Sequence, residues 1–324
     1  MKIGLISKHR SAIMGFAILW IMLYHLCGLG KCNNFAKSIF AIGHAGVDIF
    51  FFLSGLGLTY SYYDRLLTHN ERVLYLKKRF LRIIPAYFFV IIITALIFQK
   101  PIIDTLWRIS CIGFWIGRPY YDWYVPSLLL FYCSFPVFIT LSHKYNVYKA
   151  VCLFILIGLI GTLGLVLLGK GTVILFVSRI PILFVGCIFG YYMKYVQQTV
   201  SKPLARVMIC IAIIGILGEL IISCNYDAAF LRRSSLHHLP FVFIVPGLCI
   251  SLSYIFEWIS CCVYFKWILL IFSFIGSYSL EIYLSHMSLR YSPWYIFIPI
   301  AIFTGFMIKL IIKYIMIYLY GKQQ

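Results

Sequence analysis

Apolar stretches about twenty residues long, separated by short polar joints, recur from one end of the chain to the other. A helix that crosses a bilayer needs roughly 20 consecutive apolar residues, so the pattern predicts about ten membrane-spanning helices. They fall at roughly 11–30, 39–60, 80–99, 124–142, 149–169, 172–194, 206–224, 239–256, 266–288 and 293–318, with boundaries good to a few residues. The fold class expected is therefore all-α and polytopic, a single membrane domain over 1–324 with no soluble domain. The first run follows Lys2, Lys8 and Arg10, is long enough to span, and lacks a small-x-small cleavage site, so it reads as an uncleaved first helix. An even number of spans returns the two termini to one side. With the N-terminus cytoplasmic, most of the Lys and Arg residues fall in cytoplasmic loops, so both termini are expected there.

Composition agrees with the patterning. The chain is 63% hydrophobic and 11% charged, against a charged fraction of about 25% in soluble domains. Its net charge of +19 reflects a scarcity of acids, nine Asp and Glu against 28 Lys and Arg. Topology anchors account for most of those cations, and a nucleic-acid partner is not expected. Eleven cysteines show no CxxC spacing, which reads as small buried hydrophobes rather than a disulfide framework or a metal site.

Against this background, the polar residues inside apolar segments stand out, because an ionisable side chain costs several kcal/mol at membrane depth and marks a candidate site. His25 lies about fourteen residues, roughly 21 Å, into the first span and beyond the bilayer midplane, and Asp48 sits in the second within Gly46-Val47-Asp48-Ile49-Phe50-Phe51-Phe52-Leu53-Ser54-Gly55. The two spans are joined by a short hairpin, so His25 and Asp48 are expected to be neighbours at middle depth. A structural ion pair is the plainer role for Asp48. Arg79 and Arg82 are three apart at the start of the third span and share a face at the inner interface. They serve either as topology anchors or, through their planar forks, as a grip on phosphate. Glu281 lies at about the depth of His25, with a structural partnership to Arg179 or Arg290 as its alternative. The Trp- and Tyr-rich segment 100–123 reads as an interfacial aromatic belt or as a sugar-stacking surface with Asp122 and Arg118. Arg232-Arg233-Ser234-Ser235-Leu236-His237-His238 reads as a solvated outer loop, since two adjacent His without further ligands make a poor metal site.

Taken together, Trp20-Ile21-Met22-Leu23-Tyr24-His25, the Asp48 segment and Arg79-Phe80-Leu81-Arg82-Ile83-Ile84-Pro85 resemble, in order and spacing, the signatures of the acyltransferase 3 family. Asp122 to Tyr132, Ser178-Arg179-Ile180-Pro181 and Gly276 to His286 resemble its later motifs. These are bacterial integral-membrane acyltransferases, many of which O-acetylate cell-surface polysaccharides. The resemblance implies a multi-pass protein of the inner, cytoplasmic membrane with no bound cofactor. Its donor would be acetyl-CoA or another acyl-CoA held by Arg79 and Arg82, and its acceptor a hydroxyl of a glycan or lipid-linked sugar. His25 would act as general base or transient acyl carrier, oriented by Asp48 or Glu281; the residues alone do not choose between the two carboxylates. Trp123, Tyr124, Arg179, Ser279 and His286 are candidate substrate-binding residues. Many relatives carry an added extracytoplasmic hydrolase-like domain, which is not expected here. The rival class is a transporter or flippase of a sugar-containing lipid, which would also carry intramembrane polar residues but often shows repeated halves. The His25-to-Arg82 block is not repeated after residue 160.

Overall fold

The computed structural model describes residues 4–30, 34–118, 120–169, 171–196, 199, 201–224 and 236–321, and among them the regular structure is helical. The principal helices are α1 (Arg10–Gly28), α2 (Ala45–Tyr62), α3 (His69–Ile97), α4 (Ile102–Ile109), α5 (Tyr124–Tyr145), α6 (Val147–Leu167), α7 (Ile180–Tyr195), α8 (Lys202–Cys224), α9 (Phe241–Cys261), α10 (Lys266–Ser277), α11 (Ser279–His286) and α12 (Trp294–Tyr320). Eight of the described helices are long and apolar enough to cross a membrane, and α10 with α11 makes a ninth if the pair is one span bent by 65°. Each of the ten expected segments has a helical counterpart. The helix α2 falls outside the eight, because Asp48 and the polar Thr59-Tyr60-Ser61-Tyr62 end dilute an 18-residue helix.

Several helix starts differ from expectation for identifiable reasons. Residues Asn34–Phe40 form a separate short helix, so α2 begins at Ala45 and Asp48 lies in its first turn rather than well inside a span. The partial positive charge of a helix N-terminus favours a carboxylate there. The third helix starts at His69, well before residue 80, because Thr68 and Glu71 form a capping box: Glu71 N–H donates to Thr68 Oγ1 at 3.3 Å and Thr68 N–H to Glu71 Oε2 at 2.9 Å. Arg79 and Arg82 are thus interior residues of a 29-residue helix rather than residues at its start.

Small residues let the central helices meet backbone to backbone, as membrane bundles require where lipid gives no hydrophobic drive. A side chain at Gly55 of α2 would strike the Leu183 carbonyl of α7, and one at Gly186 or Gly190 of α7 would strike Phe52 or Leu56 of α2. Gly15 of α1 and Gly276 of α10 abut in the same way through the Phe272 and Ser11 carbonyls. Around these contacts Phe51, Phe52, Phe131, Phe135, Phe138 and Phe184 are buried. Eight described cysteines are free, as expected, but only Cys187 and Cys249 of these are buried while four are exposed, and Cys27 is disulfide-bonded; the reading of buried residues outside any disulfide is corrected at those positions.

Candidate active site

Two cavities flank the core of the bundle. The first, about 320 Å³, is walled by Arg10 of α1, Arg79 and Arg82 of α3, Lys309 of α12, and Ser54, Tyr124, Tyr132, Ser277, Ser279 and Tyr283 among others. Four cations and no carboxylate line it, so it is a basin for an anion. Arg79 is held before any ligand arrives: its guanidinium carbon lies 5.0, 5.7 and 5.8 Å from the ring centres of Tyr62, Tyr75 and Tyr132, a cation–π enclosure. Arg10 reaches the cavity over Gly57, where a Cβ would sit 2.6 Å from its Nη1. Lys309 donates to the Ser277 carbonyl and lies 4.6 Å from the Tyr278 ring centre.

The second cavity, about 370 Å³, lies at the other end of α3. From Arg79 to Thr94 is fifteen residues, or about 22 Å at the helical rise. Its walls include Thr94, Lys100, Asp104, Arg108, Tyr120, Tyr121, Asp122, Tyr283, Ser288, Arg290 and Tyr291. Here charges of both signs are interleaved with aromatic rings. Arg108 pairs with Asp122 at 3.3 Å and Arg118 with Asp104 at 3.5 Å, while Tyr120 donates to Asp104 at 2.8 Å. The segment expected as either an aromatic belt or a sugar-stacking surface thus forms a cavity wall through Tyr120, Tyr121 and Asp122.

His25 is on α1, fifteen residues and about 22 Å beyond Arg10, and its ring centre lies 5.2 Å from that of His286 on α11. His286 is buried. Its Nδ1 lies 2.7 Å from the Tyr283 carbonyl, which can only accept, so Nδ1 carries the proton and the buried Nε2, which has no hydrogen-bond partner among the described residues, presents its lone pair. Tyr24 packs edge-on against His25 at 5.0 Å. The described residues thus include this imidazole pair beside a second one, formed by His44 and His238.

The two expected carboxylates go elsewhere. Asp48 is fully buried and ion-paired with Arg179, Nε to Oδ1 at 3.2 Å. Arg179 also donates to the Leu175 carbonyl at 2.7 Å and to Nδ1 of His238 at 3.2 Å, and its guanidinium lies 5.0 Å from the Trp123 ring. His238, expected on a solvated loop, is instead buried, with its ring 4.8 Å from that of His44; Arg232, Arg233, Ser234 and Ser235 lie outside the described residues. Glu281 is buried within electrostatic reach of Lys309 and Arg82, on the side of the cationic cavity. Ser279 and Tyr124 line that cavity. Arg10 and Lys309 were not singled out from sequence, where they read as ordinary inner-face anchors. Among the described residues no group of three His, Cys, Asp or Glu side chains is placed to hold a metal ion.

The described helices thus hold a cavity lined by four cations, a second lined by charges of both signs and aromatic rings, and the His25–His286 pair packed between α1 and α11. The class of protein takes its name from the sequence match. Residues 13–320 fit the family described as Acyl_transf_3, an acyltransferase domain, and the chain belongs to that family. No curated protein and no solved structure matches it. Family membership carries the general class, a multi-pass membrane acyltransferase, and leaves the transporter reading without an observation of its own.

Proposed function

We propose that this protein moves an acyl group, acetyl in the simplest case, from a cytosolic acyl-CoA to a hydroxyl of a cell-surface glycan or lipid-linked sugar in the bacterial inner membrane. The observation that carries the reading is the four-cation cavity of Arg10, Arg79, Arg82 and Lys309, which suits the phosphates of a nucleotide thioester. With the N-terminus cytoplasmic, that cavity opens to the cytosol and the Asp104–Arg108–Arg290 cavity to the outer side, where the acceptor binds.

His25 takes the proton from the acceptor hydroxyl as its oxygen attacks the acyl carbonyl carbon; the C–S bond breaks, and the proton passes to the departing thiolate. His286, whose Nδ1–H is fixed by the Tyr283 carbonyl, packs against His25 and limits the orientations of its ring. Transfer of radiolabel from acetyl-CoA in membranes expressing wild type, His25→Ala or His286→Ala tests this. His25→Ala should remove label from the glycan fraction while the protein remains inserted, and His286→Ala should cut it by about 10²-fold, the scale of a misplaced catalytic group. Label that persists in the glycans with His25→Ala overturns the assignment.

A further inference from the structure

Among the described residues, Tyr283 alone lines both cavities. Its side chain is buried and is held from both sides: the ring packs edge-on against Tyr124 of the cationic cavity at 5.2 Å, and the hydroxyl donates to the carbonyl of Tyr121, a wall residue of the other cavity, at 3.2 Å. On a third side it packs against His286 at 5.5 Å. It is carried by α11, the short arm beyond the 65° bend, so a rigid turn of helix rather than a loop presents the ring.

We propose that the Tyr283 ring is the partition between the donor and acceptor cavities, the barrier that keeps water of the acceptor side from the thioester. The chemical part of this rests on the function proposed above; the partition itself does not. Two nucleophiles compete for the acyl carbon. An acceptor hydroxyl gives an ester and free thiol. A water oxygen, attacking the same carbon as the C–S bond breaks, gives a carboxylic acid and free thiol, which wastes the donor. Excluding water from the reacting centre is how such side reactions are suppressed. Tyr283 therefore acts by position, and its ring matters more than its hydroxyl.

The test uses full-length protein in membrane vesicles of known orientation. Leu280, on the wall of the cationic cavity, is replaced by cysteine, and a charged, membrane-impermeant thiol reagent is applied from the side of the Arg290 cavity, with the same protein lacking Leu280→Cys as the background for native thiols. Modification should be slow in the otherwise wild-type protein and with Tyr283→Phe, and about tenfold faster with Tyr283→Ala, which opens the path that the ring excludes. Modification from the opposite side, equal in all three, shows that the cavity survives the substitution; Tyr283→Leu serves if Tyr283→Ala does not accumulate. In parallel, Tyr283→Ala should raise hydrolysis per transfer event by about tenfold while Tyr283→Phe leaves it unchanged. Equal, slow modification with and without Tyr283→Ala overturns the partition. Faster modification in a protein whose wild type transfers no acyl group keeps the partition and overturns the proposed function.

Discussion

The Asp48–Arg179 pair separates a structural carboxylate from a catalytic one, and the structure sets the size of the effect. Asp48 is wholly buried and Arg179 is 2% exposed. Removing one member of a buried pair leaves the other charge uncompensated, at about 3–5 kcal/mol. For Asp48→Asn the lower end applies, because Arg179 keeps the Leu175 carbonyl, His238 and the Trp123 ring. Arg179→Met should cost at least as much, since it strands Asp48 with no other ion-pair partner among the described residues. The double variant Asp48→Asn with Arg179→Met removes both charges and should be less destabilised than the two single changes together, with a coupling of about 1–3 kcal/mol. Unfolding of detergent-purified protein followed by heat or denaturant measures all three, and label transfer is read on the same preparations. If Asp48→Asn unfolds as wild type does while transfer is abolished, Asp48 acts on the chemistry and the structural account is refuted.

Three further perturbations reach other parts of the molecule. Gly57→Ala places a Cβ 2.6 Å from Arg10 Nη1; a flexible side-chain end yields where a backbone would not, so stability should hold while the donor Michaelis constant rises. Arg10→Ala should raise that constant by about tenfold or more, the worth of a hydrogen bond to a charged group, and unchanged donor dependence in both variants would remove Arg10 from the donor site. Outside the spans, burial pushes the Asp64 carboxyl up, but hydrogen bonds from Lys194 at 2.7 Å and from Tyr195 outweigh it and hold the group below its ordinary value. That stabilisation is present above the ordinary carboxylate range and is lost as pH falls through the lowered value. The pair is half exposed, so Asp64→Asn should cost at most about 1 kcal/mol at pH 7, and a loss of equal size under strongly acidic conditions would contradict the assignment.

The spans were legible because twenty-residue apolar runs admit few other structures in so hydrophobic a chain. What lay beyond reach was decided by tertiary contacts. Nothing in the first 82 residues indicates that Asp48 is matched by Arg179, and the plainer reading, a structural ion pair, is the one with a contact behind it. His286 meets His25 on an α11 that leaves the line of α10 by 65° at Tyr278, and sequence placed residues 266–288 in one unbroken span. Arg10 and Lys309 were invisible for a different reason: a cation near a span end looks the same whether it anchors topology or lines a cavity. The early start of α3, by contrast, was readable. Thr68-His69-Asn70-Glu71 carries the Thr-x-x-Glu signature of a capping box, and it fixes the helix that presents Arg79 and Arg82.

The bend between α10 and α11 connects the observations at the two ends of the bundle. Breaking a helix in an apolar medium frees backbone carbonyls that cannot turn to water and must find a donor in the protein. The Ser277 carbonyl finds one in Lys309, so the residue that satisfies the break is also one of the four cations that line the first cavity. The turn that follows carries Ser279 into that cavity's wall, Tyr283 between the cavities and His286 against His25. Spaced four and then three apart on α11, the three side chains share one face of that helix. The 65° change of direction sets that face off the line of α10, so eight residues of α11 reach from the four-cation cavity, through the residue that lines both cavities, to the His25 ring.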